Sequence, residues 1–346
     1  MKILGIETSC DETAIAVVEG RGNKLKVRRN LVHSQIDIHE LHGGVVPEVA
    51  AREHMQRLLP MIEAEFGRGG QGIDAIAVTA GPGLAPALRT GVEVAKVLAY
   101  AWGKPLIGVS HLEGHIYANW LPDDGFWARL KHKSPKFPFL CLMVSGGHSE
   151  LILMEDYGKF KRLGETIDDA AGEAFDKVAR MLDLKYPGGP KIAKLADGGK
   201  VNAFDFPRGL INQDNYDFSF SGLKTAVLYT IRQNEEKIYD EGFRKDIAAS
   251  FQEAVVDVLV RKTMKAVDEF SPRGVGIAGG VSANLELRKR LQKEVVERGL
   301  DFHMPKFVYS LDNAAMIAAV GYFRLKAGYR SDPLNLAVNT NLDFVE

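Results

Sequence analysis

The stretches "KILGIET" (2–8), "SCDE" (9–12) and "TAIAVVEG" (13–20) follow one another at the start of the chain. The same plan returns as "PFLCLMV" (138–144), "SGGH" (145–148) and "SELILME" (149–155). Each pairs two apolar, β-branched runs across a short turn of hydroxyl, glycine or acidic residues, which predicts a buried hairpin. Identities between the two copies are weak, so the duplication is one of architecture. Helical periods and short apolar strands alternate after each hairpin. The first is followed by "PEVAAREHMQRLLPMIEAEF", the strand "IDAIAVT", the turn "AGPG", a helix from near Leu84 and the strand "PLIGV". The second is followed by "ETIDDAAGEAFDKVARMLDL", a "YPGGP" break, the long helical "FRKDIAASFQEAVVDVLVRKTMKAVDEF" and the strand–turn–helix "GVGIAGGVSANLELRKRLQKEVVERG". This order predicts an α/β protein of two lobes with mixed sheets. The expected lobes are 1–118 and 119–311, with a small-residue-rich C-terminal helical segment, 312–346, packing back on the first.

Composition sets broad limits. The 346 residues suffice for two domains, and 46% hydrophobic with 26% charged residues is the balance of a soluble globular protein. No apolar run reaches the length of a membrane span, and "MKILGIETSC" meets polar residues too early for a signal peptide. Two cysteines, Cys10 and Cys141, make no disulfide framework, and a cytoplasmic location is expected. A net charge of −1 leaves any nucleic-acid contact to local patches. The basic stretches "RGNKLKVRR" (21–29) and "ARLKHKSPK" (128–136) are candidates, and a solvated basic loop is the simpler explanation of them.

Three turns carry the chemistry of a nucleotide site. They are "GIETSCDET" (5–13), "VSGGH" (144–148) and "IAGGVSAN" (277–284). Glycines let backbone N–H groups approach a phosphate, and hydroxyls add donors. No G-x-x-x-x-G-K-[ST] loop is present, and none of the three turns is a G-x-G-x-x-G. In the helix from 165, Ile167, Ala171, Ala174, Phe175, Val178 and Leu182 make an apolar stripe. Asp176 lies off it, open to a role as ribose acceptor or as plain solvated charge, and "YPGGP" adds Gly188 and Gly189.

The segment "VSHLEGHIYANW" (109–120) sets His111 and His115 at i and i+4, on one helical face. Ser110 and Glu113 fit a capping box at the start of that helix. A zinc-protease motif is H-E-x-x-H, with its glutamate directly after the first histidine; the order here is H-L-E-G-H, so a protease does not follow. Two imidazoles are too few for a metal, and Asp312 is open either to service as third ligand or to an N-cap role. Cys10 has no base nearby in sequence and reads as a small buried thiol.

Taken together, "GIETSCDET", "GGVVPE", "TAGPGL", "HLEGH", "VSGGH", "IDDAAGEAFDK", "YPGGP", "DFSFSGLKT", "GGVSAN" and "DNAAMIA" closely resemble the bacterial TsaD family, in order and over nearly the whole chain. Archaeal and eukaryotic relatives sit in the KEOPS complex. The resemblance implies two RNase H-like lobes of the actin, sugar-kinase and heat-shock ATPase superfamily with an interlobe cleft. It implies transfer of a threonylcarbamoyl group from threonylcarbamoyl-adenylate to N6 of the adenosine beside the anticodon, in tRNAs reading codons that begin with A, with AMP released. It makes His111, His115 and Asp312 ligands of one iron or zinc ion. Met143, Val144, Ser145, Gly146, Gly147, Asp176, Gly189 and Asn284 become contacts to the adenylate. Glu12 and Asp11 are the candidates for taking the amine proton. Ser110 departs from the pattern, standing where a relative has a further histidine. The implied partners are tRNA, a TsaB-like paralogue and a TsaE-like ATPase, with no membrane. An ATPase or small-molecule kinase of the same superfamily, or a noncatalytic nucleotide-binding scaffold, are the competing readings. Imidazole ligands argue against a magnesium kinase.

Overall fold

The first apolar run makes a strand buried on both faces after its first residue, and the rest of the sheet is built outward from it. The structure, a computed structural model, describes residues 1–67, 69–122, 133–331 and 335–345. The chain divides into two units: Met1–Pro135 with Pro305–Glu346, and Lys136–Met304.

In the first unit the elements are β1 (Lys2–Glu7), β2 (Glu12–Arg21), β3 (Lys24–Ser34), α1 (Ile36–Glu40), α2 (Pro47–Phe66), β4 (Ala75–Gly81), α3 (Ala85–Trp102), β5 (Leu106–Ser110) and α4 (His111–Tyr117). The second holds β6 (Phe139–Val144), β7 (Ser149–Asp156), β8 (Lys159–Glu165), α5 (Ala171–Met181), α6 (Gly188–Ala196), α7 (Ser221–Gln233), α8 (Glu241–Phe270), β9 (Gly274–Ala278), α9 (Leu285–Glu297) and β10 (Asp301–His303). The chain then re-enters the first unit as α10 (Phe307–Ser310) and α11 (Ala314–Lys326).

The two sheets have one topology. The first runs β3-β2-β1-β4-β5 and the second β8-β7-β6-β9-β10. In each, the opening hairpin and its third strand are antiparallel, and the other two strands join parallel to the first. This is the mixed-sheet α/β architecture that the repeated hairpin predicts. Leu4, Ile6, Ile15, Val17, Ile76 and Val78 meet Leu58 and Ile62 of α2 and Val92 of α3 in one core. Leu140, Leu142, Leu151, Val275 and Ile277 pack with Phe175 of α5 and Phe251 of α8 in the other.

α11 lies on β1, and its residues Ala314 to Phe323 are all buried. Gly5 makes that seat possible, since a Cβ there would strike the Ala314 carbonyl oxygen and crowd Ala318. The helix is shorter than the segment 312–346 expected from sequence. It ends at Lys326, where Gly328 takes a positive φ, and residues 335–345 are non-helical. The unit boundary at Pro135/Lys136 lies beyond 118/119, because Ala118 to Leu121 stay buried beside α4.

Two further readings change, and one falls largely outside the described residues. "RGNKLKVRR" is not a loop: most of it is edge strand β3, where Arg28 pairs with Glu19 and Arg29 with Glu65. The stretch 128–136 lies for the most part outside the described residues. Ile167 is not in a helix and is exposed, since α5 begins only at Ala171; the other five stripe residues are buried. Among the described residues, no helix is long and apolar enough to cross a membrane.

Candidate metal centre and substrate turns

β5 is a wholly buried strand, and α4 leaves it directly at His111. Ser110 does not cap that helix: its side chain makes no capping bond and its Oγ is buried without a hydrogen-bond partner. Nor does Glu113 reach back to the helix start. It is fully buried and faces α11, where Arg324 donates to both its oxygens and also to the Gly108 carbonyl at 2.8 Å. The expected capping box is therefore replaced by an ion pair that braces α4 against α11. Gly114 completes the contact, with Ile317 and Met316 against its Cα.

That brace matters because the two braced helices carry one cluster. His111 Nε2 and His115 Nε2 are 3.1 Å apart, and Asp312 Oδ1 lies 3.5 Å from the first and 3.2 Å from the second. Ligands about 2.0–2.1 Å from a tetrahedral metal stand roughly 3.3–3.4 Å from one another, so the three atoms have the spacing of one coordination face. Asp312 is free for this because the cap of α11 is its neighbour: Asn313 Oδ1 accepts from Met316 N at 3.1 Å.

Glu7 fixes the outer imidazole. Its carboxylate accepts from Thr79 Oγ1 at 2.6 Å and Ser9 N at 2.6 Å, and lies 3.1 Å from His111 Nδ1. A proton on Nδ1 bonded to that carboxylate leaves the Nε2 lone pair for a metal, the usual carboxylate–histidine–metal arrangement. Burial opposes charge throughout, yet His111 and the hydrogen bonds hold Glu7 below the carboxylate range. Against the same burial, Asp312 and Glu7 push His111 up to about 9. Asp312 is likewise held down to about 2 by His111 and His115. A cation at Nε2 would replace the proton that this carboxylate-rich setting favours. The residues present therefore fit a metal ion. Glu7 and Arg324 escaped the sequence reading; the only signal for Glu7 was its place in the turn "GIETSCDET".

Asp11 and Glu12 sit at the end of that turn. Burial, with Asp312 and Asp11 alongside, pushes Glu12 well above the carboxylate range, and its carboxyl hydrogen-bonds Asp11. The Cys10 thiol also bonds Asp11, and burial first, then Asp11 and Asp312, raise it far beyond ionisation at neutral pH. Cys10 is half-buried rather than fully buried.

The glycine turns of the second unit come together around Ser145. Ser145 N donates to the His148 carbonyl at 2.8 Å, and Gly172 N at the start of α5 donates to the Ser145 carbonyl at 3.1 Å. Gly279 has φ 83°, and a Cβ there would meet the Val144 carbonyl, so the "VSGGH" and "AGGVSAN" turns pack closely. Gly146, Gly147, Gly189 and Gly280 face open space. Met143 and Val144 are wholly buried strand residues, which leaves only their backbone for a ligand. Asp176 accepts from Gly188 N at 2.7 Å; burial, working against this bond and one from Gly189, raises its carboxyl. Asn284 caps α9 through Leu287 N and donates to Gln252 at 2.8 Å.

Two sheets of one RNase H-like topology, with a His₂Asp cluster in the first unit whose spacing could hold a metal ion, define an α/β protein of two repeated units. Solved structures agree on the fold: HypF of T. kodakarensis superposes with a TM-score of 0.60 at 16% identity, over 94% of this chain and 48% of that one. This chain thus spans about half that protein's length, and the likeness speaks for fold alone. The TsaD family model, described as tRNA N6-adenosine threonylcarbamoyltransferase, matches residues 26–319. The chain belongs to that family. Proteins of that name from Geobacillus thermodenitrificans and Clostridium botulinum are 51% and 48% identical, over 98% and 99% of this chain and 95% and 98% of theirs. It is therefore a transferase that modifies tRNA, and the ATPase or kinase reading falls.

Proposed function

We propose that this chain moves the threonylcarbamoyl group of threonylcarbamoyl-adenylate to N6 of the adenosine beside the anticodon, in tRNAs reading codons that begin with A. The observation that carries the reading is end-to-end similarity, at about half identity, to proteins named for that modification. The His111–His115–Asp312 cluster supports it further. Its ion is iron or zinc: two imidazoles and one carboxylate with positions left open suit either. When bound, such an ion supplies Lewis-acid polarisation of a carbonyl or neutralises charge on a departing phosphate.

The donor is a mixed anhydride and already activated, so no covalent enzyme intermediate is needed. The adenine amine attacks the carbamoyl carbon; the N6–C bond forms as the bond from that carbon to the phosphate oxygen breaks, and AMP departs. The open glycines Gly146, Gly147 and Gly189 offer backbone N–H groups to the adenylate. Met143, Val144 and Ser145 line the same turn, Asp176 acts through the Gly188–Gly189 backbone that it holds, and Asn284 closes the set. The amine must lose one proton. Asp11 and Glu12, adjacent at the end of the first turn, are the two groups placed to take it. The chain works in the cytoplasm with a TsaB-like paralogue and a TsaE-like ATPase.

Donor labelled in its threonine tests this. Label should enter unmodified tRNA with one AMP released per transfer, and should not enter a tRNA carrying guanosine beside the anticodon. Equal labelling of the two tRNAs would refute the assignment of the acceptor.

A further inference from the structure

Two histidines outside the metal cluster, His39 and His54, are completely buried, and the chemistry above uses neither. They belong to one hydrogen-bonded chain whose direction can be worked out atom by atom. Val46 N donates to His39 Nδ1 at 3.3 Å, so that nitrogen is an acceptor and the ring proton is on Nε2. His39 Nε2 then donates to Gln35 Oε1 at 3.1 Å. The Gln35 amide orientation follows, since its Nε2 also faces the Ala50 carbonyl at 3.4 Å. Gln35 Nε2 donates to His54 Nδ1 at 3.3 Å, and Thr13 Oγ1 donates to the same nitrogen at 2.7 Å. His54 is therefore neutral with its proton on Nε2, which it gives to the Cys10 carbonyl at 3.0 Å. Burial pushes both imidazoles below their usual range, in keeping with neutral rings.

The chain ends on the turn that carries Asp11 and Glu12, and it grips that turn at three points. His54 takes the Cys10 carbonyl, Gln35 N donates to the Asp11 carbonyl at 2.9 Å, and Thr13 is bonded through its hydroxyl. From the opposite side Ser9 meets His111 Nδ1 at 3.1 Å, and its carbonyl accepts from Leu84 N at 2.8 Å. The turn is thus clamped between the metal cluster and the buried histidine chain. Its far end is the "HGGVVPE" segment, where Gly44 N also donates to the His39 carbonyl at 3.2 Å.

We propose that His54, oriented by Gln35 and His39, is a positioning residue for the transfer: by holding the Cys10 carbonyl it aims the Asp11 and Glu12 carboxyls. The proposal rests on the reading that those carboxyls handle the amine proton. A loosened turn would slow proton removal without weakening substrate binding, so the expected signature is a fall in kcat at unchanged KM.

The test uses the full chain with its partner proteins, donor and unmodified tRNA. His54→Phe keeps the ring volume and removes all three of its hydrogen bonds. It is expected to lower kcat at least tenfold, with KM for tRNA and donor within twofold of wild type and bound metal unchanged. His54→Gln, which can still donate to Cys10, should recover most of the loss. Wild-type kcat in a folded His54→Phe protein, or a Gln variant as impaired as Phe, overturns the proposal. Where His54→Phe fails to fold, the nearly isosteric Gln35→Glu carries the same test, because a carboxylate cannot donate to His54 Nδ1; full kcat there also overturns it. Asp11→Asn and Glu12→Gln run alongside. Undiminished turnover in both removes the reading beneath the proposal, whereas losses there with none at His54 remove the proposal alone.

Discussion

At the scale of single residues, the histidine cluster depends on side chains far away in sequence. His111 and His115 could be read as a pair because four residues of helix put them on one face, and Asp312 stood out only as one of two explanations for its position. Glu7 and Arg324 could not be found this way: Glu7 lies 104 residues from His111, and Arg324 lies 211 from Glu113. A local pattern even misled, since Ser110 and Glu113 have capping-box spacing and form none. Two predictions follow from that error. Ser110→Ala should change stability by less than about 0.5 kcal/mol, while Asn313→Ala, removing a true cap, should cost about 1 kcal/mol in denaturant unfolding. Glu113→Gln should leave the chain folded but weaken metal binding in a titration of metal-stripped protein, because the Glu113–Arg324 pair braces the two segments that carry the ligands. Unaltered affinity would show that the α4–α11 brace does not set the ligand spacing.

Among elements, the interior strands were legible as short continuous apolar runs because both their faces are buried, and the long helices because helical periodicity reports burial. β1, β2, β6, β7 and α2 all occupy the stretches that pattern alone suggests. The edge strands β3 and β8 were not, since few of their residues are buried and their charges resemble a loop. Helix starts were blurred for a related reason: Ile167 is apolar but exposed, which extended the apparent stripe of α5 backwards. What periodicity cannot show is close approach, and Gly5 is the example. Gly5→Ala should destabilise the first unit by about 1–3 kcal/mol through overpacking against Ala314, seen as a lowered thermal midpoint.

For the molecule as a whole, the repeated hairpin carried the architecture, and the combination of motifs carried the family. Neither reveals how charge supports the second unit. There Asp169 is bonded by Lys177 at 2.8 Å and Lys224 at 2.7 Å. Burial opposes its charge, yet the two lysines hold the carboxyl below its usual range. A depressed acid contributes stability that is full above its unfolded pKa of about 3.9 and lost as pH falls through the lower folded value. Asp169→Asn should therefore flatten the acid limb of a stability–pH curve below about pH 4, and an unchanged limb would contradict the assignment.

The central claim is a tRNA-modifying transfer that depends on the His111–His115–Asp312 cluster. Its most direct test is reconstituted transfer with the full chain, a TsaB-like and a TsaE-like partner, threonylcarbamoyl-adenylate and unmodified tRNA, the digested nucleosides being read by mass spectrometry. Wild type should yield N6-threonylcarbamoyladenosine, and Asp312→Ala should yield no more than a mixture lacking the chain. Equal product from Asp312→Ala would contradict the account, leaving a transferase that does not use this cluster.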